Sequence, residues 1–234
     1  MIAAVADILK SKLAALDWVD RFGGLVNIAT RPVFVTGADG AQVVTGYQSY
    51  PVACTVNAAN CWENGLYKHF EPDSRKTAIL FFMDNGGVNL KSVEGPKNAR
   101  IKFSFDLRLL GWLNIPALGP ELTTQECNIA GRLVPYVMAQ LWGLHDAFGK
   151  FEGGPEEEMF QDVEVTNLRQ LTKSPSLFQP FTFATDGNTR GLFLYPYDYF
   201  GIGISGTFII NTKCLPPLFF SPDSAYCLPG TATT

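Results

Sequence analysis

Residues Ile101–Leu109 read IKFSFDLRL, in which Ile101, Phe103, Phe105, Leu107 and Leu109 alternate with Lys102, Ser104, Asp106 and Arg108. Successive side chains leave a strand on opposite sides, so this period-2 pattern predicts a strand with one buried and one solvated face. The strand runs on toward Trp112. Before it stands a second apolar run, Lys76–Met83 (KTAILFFM), closed by the turn-forming residues Asp84-Asn85-Gly86-Gly87. After it comes a loop with Pro116, Gly119 and Pro120, and then Thr123 and Glu126 at capping-box spacing. They predict a helix from about Thr124 to Gly143, with Ile129, Leu133, Val137, Leu141 and Leu144 as its apolar stripe. Pro135 falls inside it and predicts a kink or a later start.

Toward the N-terminus, Ile2, Val5, Leu9, Leu13 and Leu16 recur at spacings of three and four, predicting a helix from Ile2 to about Trp18. Gly23-Gly24 ends it. LVNIATRPVFVTG (Leu25–Gly37) then reads as a strand with Pro32 at an edge or bend. The turn signal Ala38-Asp39-Gly40 and the strand-like AQVVTGYQSYPVACTV (Ala41–Val56) complete an early hairpin. Asn57–Arg75 is polar and irregular. Beyond the central helix, Lys150–Glu158 (KFEGGPEEE) reads as an acidic loop. Phe160–Leu168, Phe178–Ala184, Gly191–Tyr197 and Phe200–Lys213 read as strands. The stretch from Pro216 to Thr234 carries four prolines and is expected to be an extended arm or disordered. The expected fold is α+β: a mainly antiparallel sheet packed by an N-terminal helix and a central helix. Residues 1–213 form one domain, 150–189 an insertion within it, and 214–234 an extended C-terminal arm.

Composition narrows the function classes. A chain of 234 residues is long enough to bury a substantial core. Its net charge of −4, without a basic block, argues against electrostatically driven nucleic-acid binding. Eighteen Phe, eight Tyr and four Trp suit either a β-rich core or extensive subunit contacts. The N-terminal segment, with Asp7, Lys10 and Lys12, does not read as a signal peptide, and no run is long enough to span a membrane. Five cysteines (Cys54, Cys61, Cys127, Cys214, Cys227) and no N-x-S/T acceptor favour folding in a reducing cytosol. That compartment disfavours the bridges Cys54–Cys61 and Cys214–Cys227, which spacing alone would admit.

Motifs with chemistry are weak. Gly201-Ile202-Gly203-Ile204-Ser205-Gly206 matches G-x-G-x-x-G, but the strand-like TFIINTK follows where a dinucleotide site needs a helix. It reads as a strand that packs closely against another backbone. Cys54, Cys61 and His69 lack the ligand pairs of a structural zinc site, so no metal and no cofactor are expected. His145 beside Asp146 reads as a helix C-terminal histidine, and Glu156-Glu157-Glu158 as a solvated run. Tyr195, Tyr197, Tyr199 and Phe200, together with Trp112, form the most conspicuous aromatic set. They are the candidate interface, able in principle to stack on a sugar or to anchor a protein contact.

The order of Ile2–Trp18, Val33–Val56, Lys76–Leu109, Thr124–Gly143 and Phe200–Lys213 resembles that of bacteriophage tail-terminator and head–tail connector proteins, in particular a neck ring protein of crAss-like short-tailed phages. The resemblance covers most of residues 1–213 and rests on layout. It implies a structural virion protein rather than an enzyme: a cyclic homo-oligomer between portal and tail, contacting other ring or tail proteins, around a channel through which DNA passes without specific binding. Its site would be the phage neck or tail, with folding in the host cytoplasm and no membrane contact. The extra length at 150–189 and beyond 213 departs from a minimal terminator. Two alternatives stay open: a β-rich carbohydrate- or protein-binding module using Trp112, Tyr195, Tyr197 and Tyr199, and an enzyme without a recognisable motif.

Overall fold

The alternating stretch lies in β6 (Arg100–Asn114), one of the two central strands of a six-stranded sheet. The computed structural model describes residues 2–38, 40–53, 62–63, 66–95, 100–119, 129–142, 160–179, 181, 193–194 and 196–211. Among them the chain runs α1 (Ile2–Lys12), β1 (Arg21–Thr36), β2 (Gln42–Ala53), a two-residue pair β3 (Trp62–Glu63) and β4 (Leu66–Tyr67), β5 (Ala78–Glu94) and β6. Then follow α2 (Ile129–Trp142), β7 (Phe160–Gln170) and β8 (Tyr197–Asn211). The sheet order is β2-β1-β5-β6-β8-β7, antiparallel throughout except where β1 lies parallel to β5. The fold is α+β, with two helices on one face of a mostly antiparallel sheet.

That face holds the larger core. Val5, Leu9 and Leu13 from the first helix and turn meet Leu80 and Phe82 of β5, Leu107 and Leu109 of β6, and Ile202 and Ile204 of β8. Ile129, Leu133, Val137 and Leu141 of α2 complete it, so the stripe expected there is buried. Each such side chain contributes about 1.5–3 kcal/mol on leaving water. Pro135 sits inside α2 as expected. The capping pair Thr123 and Glu126, and Leu144, lie outside the described residues, as do the cysteines, His145, Glu156–Glu158 and the arm.

Four expectations are corrected. The sheet does not keep one solvated face: past Leu109 the strand is buried on both sides, because Leu110 and Trp112 join Ile79, Phe81, Phe70, Phe178, Phe181 and Tyr199 in a second cluster. Asp84–Gly87 does not close a short strand but is a bulge inside the 17-residue β5, where Asp84 pairs with Leu107 and Val88 with Phe105. The Asp84 carboxylate accepts from the Gly86 and Gly87 N–H groups, and Gly87 takes the positive φ of 72° that the excursion requires. Gly23-Gly24 does not end a helix reaching Trp18. Helix α1 stops at Lys12, and both glycines lie in β1, where a Cβ at 23 would meet the Phe70 ring and one at 24 the Asp7 carboxylate. Phe178 closes a 3-10 turn (Pro175–Phe178) rather than opening a strand, since Pro175 and the Ser174 side chain, accepting from the Ser176 N–H, set a tight turn. The span 150–189 supplies the edge strand β7 and this turn.

The glycine-rich motif lies wholly within β8 and leads into no helix. A Cβ at Gly206 would strike the Glu164 carbonyl oxygen of the neighbouring strand and, at 2.6 Å, the Phe105 ring. The carbonyl is main chain and cannot turn aside. Gly206→Ala is therefore expected to cost about 3 kcal/mol, read as a fall in urea midpoint without a change in slope.

Candidate interaction surface

Strand β1 meets β5 only through Arg21, Phe22 and Leu25, opposite Ile79, Leu80 and Phe82. From Val26 to Thr36 its strand partner is β2, the edge strand of the sheet. The two therefore leave the body as a ribbon. Its turn is closed by the Gly37 N–H donating to the Ala41 carbonyl at 2.8 Å, with Gly40 at a φ of +79°. A bulge at Val33/Phe34 sharpens the ribbon's twist.

Ribbon side chains are unusual for a surface. Ile28, Phe34, Val35, Val43, Val44 and Tyr47 are all exposed, Tyr47 to 73%, and they make up six of the eleven large apolar residues left in water among the described residues. Leu90 and Val93, near the β5–β6 turn, add two more at the same end of the sheet. Alternation sorts the ribbon into faces. Ile28, Pro32 and Phe34, with their partners Val44 and Tyr47, continue the side on which Val26 joins the second cluster. Val35 and Val43 pair on the other side. Scattered surface apolar residues need no explanation, but a contiguous patch marks a contact site.

The base of the ribbon is pinned by charge. Glu71 accepts from Arg31 Nη2 at 3.0 Å and from Gln48 Nε2 at 2.6 Å, and Arg31 Nε donates to Gln48 Oε1 at 3.1 Å. Arg31 also lies 4.7 Å over the Tyr50 ring, and His69 Nδ1 is 3.4 Å from the Glu71 carboxylate. Gln48 is buried, so this network orients a ribbon that little hydrophobic packing supports.

The aromatic set expected to form the interface is placed otherwise. Trp112, Tyr199 and Phe200 are buried, so the single chain offers no partner access to them. Gly111, paired opposite Phe200, leaves the space that the Phe200 ring fills, and Trp112 pairs with Tyr199. Tyr197 is half-buried and stacks on Trp112 with centroids 5.3 Å apart, while Tyr195 lies outside the described residues. The described aromatics are shared between the two clusters: Phe200 packs in the larger one with Phe82, Phe105 and Phe208, and Trp112 and Tyr199 in the second, where Phe193 stands edge-on to Tyr199 at 5.3 Å.

Beneath Tyr199 is the one deeply buried carboxylate of the described residues, Asp198. It accepts from the Ala130 N–H at 3.0 Å in the first described turn of α2, from the Tyr199 N–H at 2.9 Å, and pairs with Lys173. Burial first, and the Asp198 charge second, push the Tyr199 phenol above its ordinary pKa. At the surface, the two-pronged hydrogen bond from Arg75 holds the Asp73 carboxyl below the usual carboxylate range. Among the described residues no three His, Cys, Asp or Glu side chains come together as a metal site, and no helix is long and apolar enough to cross a membrane.

The ribbon was not legible as a site because its residues have ordinary strand composition. Its signal is the consecutive apolar pairs Phe34-Val35 and Val43-Val44, which put apolar side chains on both faces where a half-buried strand would not. No family model, no curated protein and no solved structure matches the chain.

Proposed function

We propose that this chain is a structural virion protein that forms a ring in the neck or tail of a bacteriophage, between portal and tail, around the DNA channel. The observation that carries the reading is the β1–β2 ribbon, apolar on both faces and joined to the body by a short parallel contact. A closed ring of head-to-tail subunits needs each copy to offer a projecting surface to its neighbour, and burying such a ribbon repays the cost of exposing it. The layout of helix, hairpin, strands, helix and strand supports the same reading through its resemblance to tail-terminator and connector proteins. The glycan-binding alternative loses support, since Trp112 and Tyr199 are core residues.

Mass photometry and electron microscopy of the purified protein, alone and with portal protein, test the reading, together with analysis of phage particles. A closed oligomer is expected. Val35→Asp with Val43→Asp should leave it monomeric at a cost of about 1–2 kcal/mol in unfolding free energy, since both side chains are exposed but the two carboxylates then face each other across the strand pair. A protein that stays monomeric with every neighbour and is missing from particles refutes it.

A further inference from the structure

We infer that the outer edge of β2 is a self-pairing surface: a second copy of this chain adds its own β2 there, antiparallel and about a two-fold axis, so that two sheets join into one. The first reason is how differently the two edges of the sheet are guarded. An edge strand offers a row of unpaired main-chain groups, and natural proteins blunt it with charge, bulges or cover. Strand β7 is guarded in this way. It carries Asp162, Glu164 and Arg169, its register shifts twice, between Gln161 and Glu164 and between Val165 and Asn167, and Asp162 takes a φ of 50°. Strand β2 alone among the six has no charged residue. Its base is covered where Val52 bridges to His69. From Gln42 to Tyr47 no described strand lies on its outer side, and Val43, Val44, Thr45 and Tyr47 are exposed. A strand that meets its own copy sets like residues near like, and like charges directly opposite destabilise a pair. An uncharged edge suits a second copy, whereas a different partner could match charge with charge.

The second reason is the direction of the main-chain groups. An antiparallel ladder alternates between residue pairs that exchange both hydrogen bonds and pairs that exchange none. Tyr47 is opposite Pro32, which has no N–H to give, so theirs is a pair of the second kind and the Tyr47 N–H and carbonyl point away from β1. The base of the strand has the same phase. There the Ala53 N–H donates to the Lys68 carbonyl at 2.8 Å, and the Pro51 carbonyl accepts from the Phe70 N–H at 2.9 Å, both on the outer side. Toward the turn, Thr45 is the extra residue between the pairs Val33–Gly46 and Phe34–Val44. Phe34 stands two residues on from Pro32, so Val44 also turns its main-chain groups outward.

The third reason is that these outward positions match their own copy. A two-fold axis through the Thr45–Gly46 peptide sets Val44 against the partner's Tyr47, and Tyr47 against the partner's Val44. Both bulges then coincide at the axis, where Gly46 brings no side chain. Val44 and Tyr47 lie on one face of the ribbon, and a two-fold normal to the sheet keeps that face on one side, so each contact is an aromatic side chain beside a β-branched one, a favourable cross-strand pair. The axis also joins the apolar faces of two ribbons into one surface. A head-to-tail ring uses two different surfaces and cannot use a contact of this symmetry, so the inference does not rest on the ring reading. Val35→Asp with Val43→Asp puts a carboxylate into this uncharged edge, so the monomer expected of that variant holds for either contact.

Sedimentation velocity of the full chain at micromolar concentration tests the contact, with the folding of each variant checked by its urea midpoint. The parent protein is expected to sediment as a dimer or as an assembly built from dimers. Val44→Lys with Tyr47→Lys sets lysines opposite one another across the axis. Val44→Lys with Tyr47→Glu sets each lysine opposite a carboxylate, and should associate about tenfold more tightly than the lysine pair. Tyr47→Pro removes the outward N–H and no bond to β1, and should raise the dissociation constant about a hundredfold, while Tyr47→Phe leaves it unchanged. A strictly monomeric parent overturns the inference. Equal behaviour of the two charge pairs overturns it too, since that is the result if Val44 and Tyr47 face anything but each other. A closed ring indifferent to the charge pairs retires this inference alone, and a dimer that forms no ring with any neighbour retires only the ring.

Discussion

Asp198→Ala is expected to lower the unfolding free energy by about 3 kcal/mol, enough to leave a large share of an ordinary domain's stability spent. The carboxylate is 1% exposed and serves three donors at once: the Ala130 and Tyr199 N–H groups and the Lys173 ammonium. Removing it strands the Ala130 N–H, and a buried donor left unsatisfied costs about 1–3 kcal/mol. It also removes the tie between the first residue pairs of β8 and the start of α2, elements far apart in sequence. The Lys173 side chain, 47% exposed, can turn to water, which keeps the loss at the lower end of that for broken buried pairs. Asp198→Asn should cost less, since an amide oxygen still accepts from Ala130. Urea unfolding followed by fluorescence separates the cases. Equal losses for Ala and Asn would show that charge, not acceptance of the helix N–H, is what matters at 198.

The sheet was legible because its strands obey a period that only burial of one face explains. Ile101–Leu109, the early hairpin and the apolar stripe of α2 all appear where expected, and Pro32 sits on the part of β1 that lacks an inner neighbour, where its missing N–H costs nothing. What the pattern concealed is context. Leu110 and Trp112 follow Leu109 without a polar gap, and that continuous run already signalled a strand covered on both sides. Glycine was the other misreading. Gly23, Gly24, Gly86 and Gly87 read as punctuation, yet all four lie inside strands, two admitting a neighbour's side chain and two carrying a bulge. Turn chemistry and close approach select the same residue, so only the partner across the sheet distinguishes them. The ribbon was hidden for a related reason: alternation tells which residues share a face, but not whether anything lies against it.

Trp112→Ala carries the second large effect and decides what the aromatic surplus is for. An interface residue, on truncation, weakens assembly and leaves the isolated chain's stability alone. Trp112 is 1% exposed, stacks on Tyr197 and packs in the cluster of Phe81, Phe178 and Tyr199. Its removal opens a cavity walled by the rings of Tyr197, Phe81, Phe178 and Tyr199, two of them on β8 and one on β5 and so fixed by strand pairing, which keeps the site from collapsing to fill it. A loss of about 3–5 kcal/mol is expected. For a chain of this size that corresponds to a fall of roughly 10 °C in Tm. Trp112→Phe should recover more than half of it, because a ring still lies against Tyr197. Calorimetry on the monomeric Val35→Asp, Val43→Asp background isolates the folding effect from any assembly. If Trp112→Ala leaves Tm unmoved there but abolishes rings in the parent protein, the tryptophan belongs to a subunit contact and the second cluster is not the core that its burial indicates.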